Sequence, residues 1–311
     1  MTLTADSRQL DLLTELEPVV ATEIDRHLAV AKEWMPHEYI PWSLGRDFTD
    51  EPWTPEQSRL DRITQLSFEV NLLTEDNLPS YHREIDTAFG RDGAWGFWTG
   101  QWTAEEGRHG YAMRDYLLVT RGVDPVQLER DRMAQMKEGY HSPAEKTGLS
   151  VLAYVSFQEL ATRIAHRNTG LATQDPVADK LMKRIAADEN LHMIFYRNLV
   201  SAALEIDPSA TVQAIAGEVV GFQMPGTGIN DFQRKALEIA KAGIYDLRIH
   251  HDEVVWPLLR HWKFFEIEGL SGAAEQSRVE VTAYLEAVDG LATKFTAKRE
   301  ERAERLAARS A

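Results

Sequence analysis

Glutamate and histidine residues recur in this chain at a spacing that could bind metal ions. The pattern Glu-x-x-His occurs three times, at Glu106/His109, Glu138/His141 and Glu189/His192. Two of these copies have a further glutamate at nearly the same distance upstream. Glu75 lies 31 residues before Glu106, and Glu159 lies 30 residues before Glu189. The pattern alone is weak, and it is this repeat around two of its copies that singles them out.

On a helix, residues i and i+3 share a face, so each Glu-x-x-His directs a carboxylate and an imidazole to one point. Two such helices, with two helices that give one glutamate each, supply the ligands of carboxylate-bridged di-iron or di-manganese sites in ferritin-like bundles. Four carboxylates facing a core would be very costly alone, whereas two divalent cations bring the ligand charge to zero. Oxygen and imidazole ligands also suit iron or manganese. The predicted ligands are Glu75, Glu106, His109, Glu159, Glu189 and His192.

The residues next to the three copies differ. An acid directly precedes two of them, Glu105 in one case and Asp188 in the other. Each acid either orients a ligand histidine or is an ordinary acid of a helix surface. The third copy contains Gly139 and is followed by Ser142-Pro143, with no glutamate thirty residues upstream. We interpret this third copy as a chance match at a helix end.

Two further residues favour an oxygen-activating site over a storage site. Pro79 follows Glu75 by four residues and cannot donate the hydrogen bond that the Glu75 carbonyl expects, so the helix should kink or bulge beside a ligand. Thr162 follows Glu159 by three residues and should face the metals, where its hydroxyl could bond an oxygen species. The alternative is a hydroxyl that bonds back to its own helix.

The elements that must position these residues are predicted to be helices throughout. Apolar residues recur at spacings of three and four, without period-2 alternation. After an N-terminal helix marked by Leu10 to Val20, helical patterns occupy about 58–89, 95–120, 125–139, 149–168, 176–205, 230–242, 251–262 and 273–308. The predicted fold class is all-α, with a ferritin-like di-iron four-helix bundle core and additional flanking helices. We expect a single domain over 1–311, with a helix and a Pro-rich segment at 1–57, the core at about 58–205, and C-terminal helices with a basic tail at 206–311.

Composition excludes several classes of function. The chain has no cysteine, which removes disulfides, thiolate zinc sites, iron–sulfur clusters and cysteine nucleophiles. Electrons must then come from another protein or a bound cofactor. A formal charge of −15 argues against nucleic-acid binding. No stretch is apolar enough for a membrane span or a secretory signal, so we expect a cytoplasmic protein.

Basic residues are the exception in this acidic chain and are candidates for docking acidic partners. The run from Lys294 to Ala311 has a local charge of +3, which indicates either an exposed helix face or a docking surface. The other candidates are Arg26, Lys32, Lys180, Lys183 and Arg184.

Around the predicted ligands the sequence resembles the soluble acyl-carrier-protein desaturases, and among them the actinobacterial relatives of the plant stearoyl-ACP desaturases. The resemblance runs from about residue 12 to 265. It is carried by Thr74-Glu75-Asp76-Asn77-Leu78-Pro79-Ser80-Tyr81, Trp102-Thr103-Ala104-Glu105-Glu106-Gly107-Arg108-His109-Gly110, Ser156-Phe157-Gln158-Glu159 with Ala161-Thr162, and Ala186-Ala187-Asp188-Glu189-Asn190-Leu191-His192.

The resemblance implies roles for individual residues. It implies the same six metal ligands, bound to two iron ions per subunit. Asp188 and Trp34 match positions associated with the ligand surroundings and the electron path, and Thr162 matches the threonine beside the oxygen site. Gly107 replaces an asparagine of the plant members, and Asn190-Leu191 replaces a basic pair, which affects carrier docking rather than the iron site.

The reaction implied by the resemblance inserts a cis double bond into a saturated acyl chain carried on acyl carrier protein, with O2 as co-substrate and both oxygen atoms leaving as water. Since the chain has no redox relay of its own, ferredoxin and ferredoxin reductase are implied as electron donors. A homodimer is implied as well. The acyl chain of the substrate needs a narrow apolar channel. The candidate lining aromatics are Trp95, Phe97, Trp98 and Trp102, and the alternative for each is packing in the core.

Two other classes of function stay open at this point. One is another oxygen-using di-iron enzyme on the same bundle, such as a hydroxylase or an oxidase. The other is a non-catalytic iron-binding or acyl-carrier-binding protein. A scaffold that had lost activity should also have lost ligands, and none of the six is missing.

Overall fold

The computed structural model describes residues 7–140, 146–226 and 228–310, without the side chains of 7–11, 306, 307, 309 and 310. Within this part of the chain every regular element is a helix, as the all-α class predicts. The helices are α1 Ser7–Val30, α2 Arg62–Asp76, α3 Leu78–Phe89, α4 Gly93–Val119, α5 Pro125–Glu138, α6 Gly148–Ala172, α7 Pro176–Ile206, α8 Pro208–Gly221, α9 Phe232–Lys241, α10 Leu247–Ile249, α11 Trp256–His261 and α12 Gly272–Ser310. Short 3₁₀ turns lie at Pro36–Tyr39, Trp42–Leu44, Pro55–Gln57 and Phe264–Glu266, and a π-helical segment lies at His250–Val255.

Four of the helices close into a bundle. α6 packs along α7 and α2 packs against α4, while contacts of α2 with α6 and of α4 with α7 complete the ring. α1 lies against α4 and α7, and α8 packs on α6, α7 and α12. The arrangement is the predicted ferritin-like core with flanking helices. The single domain stays a prediction.

Capping residues fix where the bundle helices begin. The side chains of Asp61, Thr147 and Asp175 accept hydrogen bonds from backbone N–H groups in the first turns of α2, α6 and α7. Such caps satisfy donors that a helix start leaves unpaired. They therefore set the register in which the later residues of each helix face the core.

The apolar core forms two clusters that are separated by polar residues on the bundle helices. On α4, Trp102 belongs to one cluster and Met113 to the other, and Glu106 and His109 lie between them. On α7, Ile185 and Met193 flank Glu189 and His192 in the same way. The predicted ligands thus occupy a polar layer between two apolar cores.

Three local features differ from a simple reading of the helical pattern. The predicted helix at 58–89 is broken at Asn77 into α2 and α3, which confirms the kink expected from Pro79. α8 was not predicted, although Asp207 caps it and Pro208 starts it in a favourable position. The predicted helix at 251–262 begins with a π-helical segment just before Pro257, which cannot donate a backbone hydrogen bond.

No helix among the described residues combines the length and the apolar character that crossing a bilayer requires.

Candidate metal centre

The six predicted ligands meet inside the four-helix bundle, and all are buried. They are contributed by each of its helices: Glu75 by α2, Glu106 and His109 by α4, Glu159 by α6, and Glu189 and His192 by α7. They form two groups of four in which the offered ligand atoms lie within 4.8 Å of one another. Glu75 and His109 belong to one group and Glu159 and His192 to the other, whereas the remaining two glutamates belong to both. Two adjacent metal ions that share two carboxylates would fit these groups.

Both histidines turn the same ring nitrogen toward the carboxylates. Nδ1 of His109 lies 3.1 Å from Oε2 of Glu106 and 3.1 Å from Oε1 of Glu189. Nδ1 of His192 lies 2.8 Å from Oε1 of Glu106 and 3.6 Å from Oε2 of Glu159. Nδ1 is therefore the atom that each imidazole offers to a metal ion.

Unpaired polar atoms support this fit. Among the described residues, four buried ligand atoms make no well-oriented hydrogen bond, and their nearest polar neighbours are other candidate ligands: Oε1 of Glu106, Oε2 of Glu159, Oε1 of Glu189 and Nδ1 of His192. A buried polar atom without a partner costs about 1–3 kcal/mol, so interiors seldom collect several of them. All four belong to the two groups of candidate ligands. Carboxylate and imidazole donors left unpaired in this way suit divalent iron or manganese.

Ionisation in the cluster is strongly perturbed. Burial, and after it the charge of Glu106, raises the pKa of Glu75 and of Glu159 well above the ordinary glutamate value. Burial disfavours the charged imidazoles of His109 and His192, but the surrounding carboxylates outweigh it and raise the pKa of both. The cluster therefore retains protons at neutral pH, and metal binding would have to displace them.

Each acid that precedes a Glu-x-x-His pair contacts the histidine of the other pair, on the opposite helix. Glu105, on α4, accepts from Nε2 of His192 on α7 at 2.8 Å. Asp188, on α7, lies 3.4 Å from Nε2 of His109 on α4. Each acid therefore orients the candidate ligand histidine of the opposite helix, so that Nδ1 faces the carboxylates of the centre. Both acids are buried, which rules out the alternative of ordinary surface acids.

Each of these acids has a second partner from the N-terminal part of the chain. Nε1 of Trp34 donates to Asp188 at 2.7 Å, and Arg184 also donates to this carboxylate. Nε2 of His27 lies 3.0 Å from Glu105. Burial opposes ionisation of Asp188 and Glu105, but hydrogen bonds from the histidines outweigh it and hold the pKa of both acids below the ordinary range.

Thr162 lies at the cluster and has more than one acceptor. Its hydroxyl is 3.0 Å from Oε2 of Glu189 and 3.1 Å from the backbone carbonyls of Gln158 and Glu159. The hydroxyl can therefore donate either to a carbonyl of its own helix or to the carboxylate of Glu189. The hydroxyl lies beside a carboxylate that both groups share.

Two residues at the centre, His27 and His166, were missed from the sequence, and Trp102 was predicted only as a lining residue and not as a partner of Glu159. Nε1 of Trp102 donates to Glu159 at 3.0 Å, and Nε2 of His166 lies 2.9 Å from Oε1 of Glu75. Burial lowers the pKa of His166 to about 4, so its imidazole is neutral near pH 7. A usable signal was present in the spacing, because Trp102 precedes Glu106 by four residues and His166 follows Glu159 by seven.

The third Glu-x-x-His copy takes no part in this cluster among the described residues. Glu138 is exposed at the end of α5, and His141 lies outside the part of the chain that the structure describes. Its interpretation as a chance match stays a prediction.

Two apolar cavities adjoin the centre and both touch Thr74 and Glu75. The empty space is about 690 Å³ in the first and about 630 Å³ in the second, counted with the part that opens to solvent. The first runs from Glu75, Glu106 and Trp102 toward Lys146, and the second lies beside Thr162 and His166. Of the four aromatics predicted as lining, Trp102 alone borders either cavity. Trp95 and Trp98 pack in the core, as the alternative predicted, whereas Phe97 is 54% exposed and neither lines a cavity nor packs in the core.

Several of the predicted basic residues share one concave surface. Lys32, Lys183 and Arg184 line it together with Arg163 and Arg167, and we call it the basic groove. Of the other candidates, Arg26 pairs with Glu23 and Lys180 lies over the ring of Tyr39. The C-terminal run forms a separate groove, where Lys298 and Arg302 lie beside Arg62 and Lys241.

Comparisons with known proteins indicate the family of the chain. A family model described as fatty acid desaturase matches residues 8–310. The proposed acyl-[acyl-carrier-protein] desaturase DesA1 of Mycobacterium tuberculosis is 48% identical over 316 residues, which cover 98% of this chain and 93% of DesA1. A chloroplastic stearoyl-[acyl-carrier-protein] 9-desaturase of Oryza sativa is 32% identical over 269 residues, which cover 80% of this chain and 68% of the plant protein. The X-ray structure of DesA2, another proposed acyl-ACP desaturase of M. tuberculosis, matches with a TM-score of 0.70 at 30% identity and covers 86% of this chain and 99% of DesA2. The chain belongs to the fatty acid desaturase family.

Proposed function

We propose that this protein is an acyl-[acyl-carrier-protein] desaturase that inserts a cis double bond into a saturated acyl chain, with O2 as co-substrate and two iron ions per subunit. The observation that carries the proposal is the pair of ligand groups that share Glu106 and Glu189. The substrate class is supported by the names of the relatives, which include acyl-ACP and stearoyl-ACP desaturases.

The ligand assignment follows the two groups. Glu75 and His109 would bind one ion, Glu159 and His192 the other, and Glu106 and Glu189 both. Iron bound there would supply the oxidising power needed to remove hydrogen from an unactivated methylene group, for which no side chain is basic enough.

The chain's own residues orient the ligands and exclude water. Asp188 and Glu105 hold the two imidazoles so that Nδ1 faces the centre. Trp102 fixes the carboxylate of Glu159 by a hydrogen bond. Thr162 places a hydroxyl beside Glu189, where it could hold a proton near the co-substrate. The apolar walls of the two cavities would keep an acyl chain against the centre and exclude bulk water.

Electrons would have to come from a partner, because the chain has no cysteine. We propose ferredoxin with its reductase, and we propose that electrons pass from Trp34 through Asp188 to His109, which are connected by contacts of 2.7 and 3.4 Å. The basic groove would dock the acidic carrier protein. A homodimer and a cytoplasmic location stay predictions.

The test is direct turnover of a defined substrate. Iron-loaded protein is incubated with palmitoyl- or stearoyl-ACP, O2, NADPH, ferredoxin and ferredoxin reductase, and the acyl products are analysed by mass spectrometry. We expect an alkene whose formation requires every component. A hydroxylated product would instead assign the protein to the oxygenases. If iron is bound stoichiometrically but no acyl-ACP of any length is converted, the proposal is wrong.

A further inference from the structure

A buried ion pair borders the first cavity just before the start of α6, thirteen residues before Glu159. Nζ of Lys146 lies 2.7 Å from Oε2 of Glu218 and 3.4 Å from the centre of the Tyr154 ring. Only 13% of the lysine side chain and 12% of the glutamate side chain are exposed. Lysine and glutamate are rarely buried unless paired, and neither residue has a part in the metal centre.

The surroundings of this pair are apolar. The hydroxyl of Tyr81 donates to the carbonyl of Pro225 at 3.2 Å, and that of Tyr154 donates to the carbonyl of Gln223 at 3.1 Å. Their ring faces are therefore left to line the cavity together with residues such as Val151. Among the described residues, those that line this cavity between the metal centre and Lys146 are mostly apolar, with Glu84 and Gln158 as the exceptions.

Both cavities are bordered by Thr74 and Glu75, so an acyl chain that occupied both would pass the metal centre. The basic groove lies at the same level of α6 as the second cavity. Arg163 and Arg167 of the groove are interleaved in sequence with Ala165 and His166, which line that cavity from another side of the helix. A carrier protein with an acidic surface would dock at these cations, so the thioester end would enter through the second cavity and the methyl end would extend into the first.

We propose that Lys146 and Glu218 form the wall at which the methyl end of the acyl chain stops, so that this pair is a determinant of substrate chain length. The inference rests on the proposed function. An anionic group of a substrate is not the expected occupant, because the lysine charge is already paired with Glu218. The pair resists displacement, because separating two buried opposite charges leaves each without compensation.

The test changes the depth of the cavity in both directions. In Lys146→Ala/Glu218→Ala both charges are removed together and the wall recedes, whereas Lys146→Met/Glu218→Leu removes the charges but keeps the volume. Val151→Phe fills the cavity ahead of the wall. Each variant is assayed on a series of acyl-ACPs that differ by two carbons, with iron content and thermal unfolding measured in parallel.

We expect the double alanine variant to favour longer chains, with the ratio of kcat/KM for the longer over the native substrate rising by roughly tenfold, since each buried methylene is worth about a factor of four in affinity. The Met/Leu variant should keep the native preference and Val151→Phe should favour shorter chains. The double-bond position, counted from the thioester, should stay constant in all of them. If the double alanine variant does not fold, the change in chain-length preference of Val151→Phe tests the inference on its own.

Failure of this inference is distinct from failure of the proposed function. If the wild-type protein desaturates acyl-ACP and neither the alanine variant nor Val151→Phe changes the length preference, the wall is elsewhere. A bond position that moves in step with the methyl end would likewise overturn the proposed direction of the chain. If the iron-loaded wild type converts no acyl-ACP, the function itself is rejected.

Discussion

Glu106 and Glu189 differ from the other ligands because each belongs to both ligand groups. Removing a shared carboxylate should therefore disturb both metal ions, whereas removing Glu75 should disturb one. We expect Glu106→Ala to lose nearly all bound iron and Glu75→Ala to retain the ion bound by the other group. Anaerobic loading followed by desalting and elemental analysis measures iron per chain. Equal iron contents in the two variants would contradict the sharing of Glu106.

The crossed acids should each act on a different metal ion. His27→Phe removes a partner of Glu105 and should weaken the ion bound by His192, whereas Trp34→Phe removes a partner of Asp188 and should weaken the ion bound by His109. Loss of a group that hydrogen-bonds a ligand histidine lowers metal affinity by about 10–100-fold. His27 and Trp34 contact such a group rather than the histidine, so we expect losses at the lower end of this range, and His27→Gln should restore part of the loss. Titration with Co²⁺, read by its visible absorption, separates the two sites in each variant. If both variants weaken the same ion, the crossed arrangement is not what orients the histidines.

The sequence predicted all six candidate ligands because the spacing i, i+3 places two side chains on one helix face whatever surrounds the helix. It could not predict which histidine Glu105 and Asp188 would contact. Each acid is adjacent to a ligand in sequence but points about 100° away from it around the helix, since an α-helix turns once in 3.6 residues. Its partner is then set by how α4 and α7 pack, and neighbouring residues do not encode that packing.

At the scale of elements, the contact between α6 and α7 depends on a glycine. A Cβ added at Gly170 would lie 2.8 Å from Cβ of Met182 and 3.4 Å from Cα of Asp179, so α6 and α7 would have to separate. We expect Gly170→Ala to lower the free energy of unfolding by about 1–3 kcal/mol, as overpacking does. Gly290→Ala in α12 is the matched control. No atom lies within 4 Å of a Cβ there, so it should stabilise by about 1 kcal/mol.

Urea unfolding followed by circular dichroism measures the stability of both glycine variants. A Gly170→Ala protein as stable as the wild type would show that the two helices are not held this close.

Most helices were predicted because a long amphipathic segment indicates a helix by its spacing of apolar residues. α8 was missed because its sequence is rich in small and apolar residues, with little contrast between its faces, and because Pro208 was not recognised as its start. The break at Asn77 was predictable, since Pro79 removes a donor at a known position.

At the scale of the whole molecule, an acidic chain has to gather its cations if it is to dock an acidic carrier. The basic residues were visible in the sequence, but Arg163 and Arg167 join the basic groove only because α6 and α7 lie side by side. Lys32, Arg163 and Lys183 make no ion pair with any residue that the structure describes, and all three are exposed. Their charges are thus free to meet a partner rather than neutralised within the chain.

Reversal of two of these charges should weaken carrier docking without affecting the chemistry. For Arg163→Glu/Lys183→Glu we expect the KM for acyl-ACP to rise by roughly tenfold or more with kcat unchanged, because like charges then face each other across the interface. The KM of the wild type should also rise with ionic strength, and more steeply than that of the variant. Lys298→Glu/Arg302→Glu in the C-terminal groove makes the same change in net charge and is the matched control. If this control raises the KM and the groove variant does not, the carrier docks on the C-terminal helix. The proposed entry of the acyl chain from the side of the basic groove would then be wrong.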